Sequence, residues 1–363
     1  MTDLIAEAPW PDVKADVPST MSAMVFREFG EPEVLQMETM PVPPVGPDDI
    51  LVKVGAVSIG RLLDLAARSG KHPYAKFTFP HVLGAEHAGT VAALGSDVNS
   101  VAVGDHVAIF NVVILQEDEY TRSGRADISP NVEIIGTHRP GAYAEYSVVP
   151  AANASVVPDG VGPQQAAALA SVGAVAANQF ARVGGIDKDS RVIVQGATSA
   201  LGLTTALLAK HLGAQVVVTS RHESKRERLR ELGFDHVFDA TSPDFSELVR
   251  AALGGGADVV VDNLGAPEVW EHGFDSLKPG GAIVSSGAFL GHTVPLNLLK
   301  LYSTGIRIIG VRTGCPESVS SLWTEVGNGF RTVVDRSFSL KDAAEAHRYV
   351  EHGSNVGKVV LVP

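Results

Sequence analysis

The residues best placed to do chemistry lie between Arg191 and Arg221. Two short β-branched runs, 192–194 and 216–218, bracket Gly196-Ala197-Thr198-Ser199-Ala200-Leu201-Gly202. A helical pattern over 203–212 follows, with Leu207, Leu208 and Leu212 on one face and Gly213 as its stop. The order is β-α-β. A dinucleotide pyrophosphate needs backbone N–H groups at a helix N-terminus and no bulky side chain in the way. Thr198, Ser199, Ala200 and Leu201 are therefore candidate cofactor-binding residues. The usual G-x-G-x-x-G reads Ala197-Thr198-Ser199-Ala200-Leu201-Gly202, with only the last glycine intact. Alone, this turn also fits another kind of doubly wound domain. The second run narrows the choice, because it ends in Ser220 and Arg221, with Lys225 and Arg226 close behind. An acidic residue there would hydrogen-bond a ribose 2′-OH, whereas serine and arginine suit a 2′-phosphate. The expected cofactor is NADP(H), held in part by Ser220, Arg221 and Lys225. Arg226, Arg228 and Arg230, and Arg221 and Lys225 with them, also read as a solvated basic helix face.

The elements that must position these residues divide the chain in two. Residues 22–26 and 50–57 read as strands joined by a proline-rich connection, 41–47, that cannot be helical. Runs at 89–93, 106–110 and 144–149 continue the β-rich pattern of a partly antiparallel barrel. From about Val157 helices alternate with apolar runs at 192–194, 216–218, 236–238, 259–261, 282–284 and 306–309, which suggests an α/β, doubly wound parallel sheet. Asn263 and Gly265 follow the fourth of these runs and Ser286-Gly287-Ala288 the fifth, where loops face a dinucleotide; all are cofactor candidates or ordinary βα turns. The alanine-rich stretch 166–181 reads as one close-packed helix linking the halves. After a helix around 341–351, the apolar tail 357–362 has no βα unit left to join and is expected to return to the first half.

At 363 residues the length suggests about two domains. A net charge of −12 argues against nucleic acid or an anionic membrane as partner. The single cysteine, Cys315, excludes an intrachain disulfide and a cysteine-rich zinc module. There is no 18-residue apolar run, and residues 1–20 carry Asp3, Glu7, three prolines and Trp10 in place of a basic and then apolar leader. The expectation is a cytoplasmic protein whose residues 1–21 form a mobile extension.

Five short motifs, in order, resemble the medium-chain dehydrogenase/reductase superfamily of zinc alcohol dehydrogenases and zinc-free quinone and enone reductases. They are Leu83-Gly84-Ala85-Glu86-His87-Ala88-Gly89-Thr90-Val91, Val103-Gly104-Asp105-His106-Val107, Gly141-Ala142-Tyr143-Ala144-Glu145-Tyr146, the turn at 196–202, and Gly357-Lys358-Val359-Val360. The resemblance implies a GroES-like catalytic domain from both chain ends, 22–157 and 312–363. A Rossmann domain, 158–311, would be inserted between them, with the active site in the cleft. It also adds Lys358 to the cofactor candidates.

The departures from that pattern are specific. Where metal-dependent relatives place a thiolate, an imidazole and a later cysteine on catalytic zinc, this chain has Arg61, Ala85 and Ser171. Asp64 matches the aspartate of the first motif, and Leu63 replaces the hydroxyl relay. Glu86 and His87 are adjacent and on opposite faces of an extended segment, so a structural histidine is expected. The structural-zinc lobe is also recognisable, with Leu115, Asp118, Thr121 and Ser129 at its cysteine positions; something else must order it, packing at a subunit interface being one possibility. No metal is expected.

Without metal or relay, reduction of an already electrophilic substrate is easier than alcohol oxidation. The resemblance thus implies an NADPH-dependent, zinc-independent reductase of a quinone, an activated C=C bond or a reactive carbonyl. A metal-free carbonyl reductase or alcohol dehydrogenase and a non-catalytic NADP(H)-binding protein are the alternatives. Arg61 and Ser171 are the candidate donors to a developing oxyanion. Arg61 could equally pair with Asp64 or a phosphate, and Ser171 could be a packing residue. Asp64 would orient Arg61 or Arg68, while Tyr74, Phe77 and Tyr143 could line the pocket. A homodimer is expected, since an edge strand at 306–309 would invite pairing.

Overall fold

The computed structural model describes residues 7–13, 16–73 and 77–363. The chain folds as a mixed α/β protein with a GroES-like unit and a Rossmann-type unit. The described residues of the Rossmann unit are Val172–Leu322 and Phe330–Thr332; the other holds those up to Ser171, Trp323–Gly329 and Val333–Pro363. The division therefore falls later at both ends than the boundaries 157 and 311 read from the sequence.

In the GroES-like unit the central strand Asp49–Ser58 pairs antiparallel with Glu86–Leu94, Tyr146–Pro150 and the closing strand Lys358–Val362. The tail does return to the first half, with Val360 opposite Ser58 and Leu361 opposite Val57. Val334–Ser339 then pairs parallel with it. Thr20–Phe26 pairs with Gln36–Pro41 and His81–Val82 in a second sheet. Both chain ends feed one core, in which Met24, Phe26 and Val57 pack with Ala346 and Leu361. Burying that apolar surface is what holds the last strand to a domain begun some 300 residues earlier.

Helix α1, Pro163–Leu169, is wholly buried and packs across these strands, which moves the unit boundary to Ser171. The alanine-rich stretch is thus two helices, α1 and α2 (Val172–Val183), interrupted at Ala170 and Ser171. Part of the extension expected to be mobile is held against the same unit. The Glu7 carboxylate accepts from the first-turn amides of Gln164 and Gln165 at 3.1 and 3.2 Å. Trp10 stacks on His106 at 4.4 Å and donates to the Val161 carbonyl. A Cβ at Gly162 would lie 2.4 Å from the Glu7 carboxylate, so a larger residue there would shift that side chain. Residues 1–6 and 14–15 lie outside the described residues.

In the Rossmann unit all six apolar runs form strands: β1 Arg191–Gln195, β2 Gln215–Thr219, β3 His236–Phe238, β4 Ala257–Asp262, β5 Leu277–Ser285 and β6 Arg307–Gly310. They are parallel, in the order β3-β2-β1-β4-β5-β6. The strand order reverses between β1 and β4, and the loops there form the ligand-binding edge of such sheets. Helices α3, Ala200–His211, and α4, Glu223–Glu231, follow β1 and β2.

Candidate active site

The turn after β1 has the construction a pyrophosphate needs. Gly196 has φ 66°, and a Cβ at Gly202 would stand 2.5 Å from the Gly196 carbonyl oxygen, so α3 starts in close contact with the turn. Ser199 is its N-cap, accepting from the Gly202 amide and donating to the Gly196 carbonyl. Its hydroxyl is thus engaged in capping. Ala200 and Leu201 open the helix, where the first N–H groups have no intrahelical acceptor. Ala197 is tied to β2 by its amide on the Thr219 carbonyl, and Thr198 is buried beside it.

At the end of β2 the basic residues separate by partner. Arg226 is committed to Glu223, Asp239 and the Ser220 carbonyl, Arg228 to Glu231 and Arg230 to Glu223. Those three form the paired helix face that the sequence also allowed. Arg221 is exposed, bonds only the His222 ring at 3.2 Å, and has no carboxylate partner among the described residues. Ser220 beside it is buried, with its hydroxyl accepting from the His222 amide. Lys225 lies in the first turn of α4, half-buried and with its own contacts.

The loops after β4 and β5 are joined. The Asn263 Oδ1 accepts from the Ser286 amide and from Gln179 Nε2, both at 3.0 Å. Gln179 also reaches Ser286 Oγ at 2.8 Å and accepts from Thr205 at 3.0 Å. Asn263 Nδ2 is buried without a hydrogen-bond partner among the described residues. Gly287 packs on the Asn263 carbonyl, and Ala288 lies over Gly265. An orphaned donor at the carboxyl ends of parallel strands fits a dinucleotide. The sequence singles out Asn263 and Ser286 but not Gln179 and Thr205, which are bonded into the same cluster. The signal was a lone pair of amides, Asn178 and Gln179, in an otherwise alanine-rich helix.

In the GroES-like unit Arg61 opens a π-helical turn, Arg61–Ala66, after Gly60. Its guanidinium donates to the Val350 carbonyl, and burial draws its pKa down, opposed by Glu351. It does not pair with Asp64. That carboxylate, wholly buried, accepts from the amides of Gly60 at 2.7 Å and Gly84 at 3.0 Å. It therefore fixes the segments carrying Arg61 and Ala85 through backbone, and the expected orientation of an arginine is corrected. Burial pushes Asp64 up to about 7 against those two bonds. Arg68 pairs with Glu351 instead, and its Nε and Nη1 are buried with no hydrogen-bond partner among the described residues. Ser171 is buried at the α1–α2 break.

Lys358, implied as a cofactor contact, turns inward. Only 1% exposed, its ammonium bonds Glu86 and the Ser58 hydroxyl. Tyr143 is not free to line a pocket either. It is fully buried, its hydroxyl 2.9 Å from His347 Nε2, and burial holds its pKa well above the usual range. Phe77 packs against Phe26, Phe29 and His81, and Tyr74 lies outside the described residues. His87 is fully buried, and burial pushes it down to about 3 against a backbone hydrogen bond with Ala85, as for a histidine kept neutral by the core.

The comparisons with known proteins agree with this architecture. Residues 46–159 match the alcohol dehydrogenase GroES-like domain and 200–328 the zinc-binding dehydrogenase domain. L-galactonate-5-dehydrogenase of Escherichia coli K12 is 30% identical over 91% of this chain and 92% of its own. The chain belongs to the medium-chain dehydrogenase/reductase superfamily. It is an oxidoreductase of that group. A solved NAD-dependent alcohol dehydrogenase superposes with TM-score 0.85 at 33% identity, covering 94% of this chain and 100% of that one. A Sinorhizobium meliloti 1021 protein solved with NADP bound has TM-score 0.82 at 27% identity, covering 95% and 100%.

Within this superfamily the question is whether the residues fit a zinc ion. At the three positions that the sequence resemblance matches to the ligands stand a guanidinium, a methyl group and a hydroxyl, and none of these supplies the thiolate or imidazole found on catalytic zinc. Among the described residues no group of three or more His, Cys, Asp or Glu side chains is arranged to hold a metal. The donor set does not fit. At the second lobe the former ligand positions bond one another. Asp118 caps the short helix Glu119–Arg122, accepting from the Thr121 amide at 2.9 Å, while Ser129 Oγ and Asn131 Nδ2 donate to its other oxygen at 2.6 and 3.0 Å. These bonds hold the Asp118 pKa below its ordinary value. The lobe is thus ordered from within, by a carboxylate at the centre of three former cysteine positions. Leu115, the fourth position, is exposed.

Proposed function

We propose that this oxidoreductase is zinc-independent and uses NADPH to reduce an electrophilic small molecule, a quinone, an activated C=C bond or a reactive carbonyl. The observation that carries the reading is the replacement of all three catalytic-zinc ligands by Arg61, Ala85 and Ser171. When bound, NADPH supplies hydride to the substrate. The turn before α3 offers N–H groups to the pyrophosphate. Arg221, exposed at the end of β2 with no carboxylate partner among the described residues, offers its guanidinium to a 2′-phosphate, with Ser220 beside it. That favours NADPH over NADH for this chain, although its relatives include an NAD-dependent alcohol dehydrogenase. Asn263 and Ser286 face the nicotinamide half. Ser171 and Arg61 are the donors proposed for the oxygen on which negative charge develops, worth about 3 kcal/mol for an aligned donor. Arg61 is steadied for this by the Val350 carbonyl.

The same reading places the protein in the cytoplasm as a homodimer. Its dimer contact is proposed at the edge strand β6, where Ile308 and the nearby Leu298, Leu299 and Tyr302 are exposed. Oxidation of NADPH, but not NADH, in the presence of a panel of quinones, enones, enals and ketones tests the assignment. Stoichiometric NADPH binding with no turnover on any member would favour a non-catalytic cofactor-binding protein.

A further inference from the structure

The hydrogen bonds around Gln179 determine which way every side-chain amide in the cluster points. The Ser286 backbone nitrogen can only donate, so the Asn263 atom 3.0 Å from it is the acceptor Oδ1. The Gln179 atom 3.0 Å from that same oxygen must then be a donor, Nε2, which also donates to Ser286 Oγ. The other end of the amide is therefore Oε1, and Thr205 Oγ1 donates to it at 3.0 Å. No alternative amide flip satisfies the chain of bonds. Its terminus is Asn263 Nδ2, a buried donor with no partner among the described residues. A group in that state is costly to maintain.

Its position gives the reason for keeping it. Val261 of β4 and Val284 of β5 lie opposite each other in parallel register, so Asn263 and Ser286 leave the sheet side by side at its carboxyl edge. Gln179 comes from α2 and Thr205 from α3, and both are fully buried. Three separate elements thus fix one amide at the edge where doubly wound sheets take dinucleotides.

We propose that Gln179 is a positioning residue of the cofactor site, locking Asn263 so that Nδ2 donates to an oxygen of the nicotinamide nucleoside, either the carboxamide oxygen or a ribose hydroxyl. This rests on the dinucleotide reading above. Gln179→Leu removes the lock while preserving side-chain bulk. Thr205→Val, which loses only the far hydroxyl, is a second variant that leaves the apolar packing in place, and Thr205→Ser restores the bond.

The test is the dissociation constant for NADP+ and for 2′,5′-ADP, the adenosine half alone, measured by calorimetry. Gln179→Leu is expected to weaken NADP+ about tenfold, the worth of one oriented hydrogen bond, and to change 2′,5′-ADP by less than twofold. Thr205→Val should shift in the same direction and Thr205→Ser should restore the wild-type value. With thionicotinamide NADP+, whose carboxamide oxygen is sulfur, loss of the penalty assigns the contact to the carboxamide and persistence assigns it to the ribose. Equal weakening of both ligands, or of neither, overturns the positioning role while leaving the dinucleotide reading intact. Wild-type protein that binds 2′,5′-ADP and NADP+ no better than buffer overturns the reading itself.

Discussion

Replacing Lys358 with methionine should destabilise the GroES-like unit severely, and the geometry sets the magnitude. The ammonium is 1% exposed and is held by Ser58, on the strand that pairs with its own, and by Glu86, on the next strand beyond that one. Removing it leaves the Glu86 carboxylate buried with one hydroxyl for a partner. Breaking a buried pair from one side costs about 3–5 kcal/mol, whereas exchanging both members for apolar residues is often close to neutral. At roughly 2–4 °C per kcal/mol for a unit of this size, Lys358→Met should lower the melting temperature by about 6–20 °C. Glu86→Leu should do likewise, and the double variant should recover most of the loss. Urea unfolding of the four proteins, followed by circular dichroism, gives the coupling energy, expected to exceed about 2 kcal/mol. Additive single losses, or a Lys358→Met cost under about 1 kcal/mol, would refute the argument that the pair stitches the closing strand to the first half.

Two further outcomes follow from the same physics. Asp118→Ala should expose the lobe around 115–131 to rapid proteolysis while leaving the thermal transition of the Rossmann unit in place, because the bonds that replace a metal there converge on one carboxylate; limited trypsin digestion at Arg122 and Arg125 reads it out. Stability should fall as pH drops through 6.5, since His87 and His347 are pushed to about 3 and the native state binds fewer protons than the unfolded one between those values. Asp64, raised to about 7, works the opposite way, its contribution being full below 3.8 and lost as pH rises to 7. His87→Leu should therefore flatten the acid slope of unfolding free energy by about 1.4 kcal/mol per pH unit, and an unchanged slope would contradict it.

Much of this was legible in the chain. The six apolar runs declared the parallel sheet because strands buried on both faces read as unbroken β-branched segments. The closing strand was legible because it had no remaining βα unit to join. What could not be read were partners distant in sequence. Gln179 meets Asn263 and Ser286 84 and 107 residues away, and Arg61 meets Val350 across 289. The break at Ser171 was hidden because alanines on both sides favour helix equally, and tertiary packing of α1 on the barrel decided it. The lobe was legible in its spacing, but what orders it was not. Its four matched positions carry a leucine, a carboxylate and two hydroxyls, so what orders it shows only in the hydrogen bonds.

The most direct test of zinc independence is NADPH oxidation against an electrophile panel by chelator-treated and untreated enzyme, with bound metal measured in both. Equal turnover without stoichiometric zinc is the result predicted from Arg61, Ala85 and Ser171 at the ligand positions. Activity lost on chelation and restored by zinc would contradict the account.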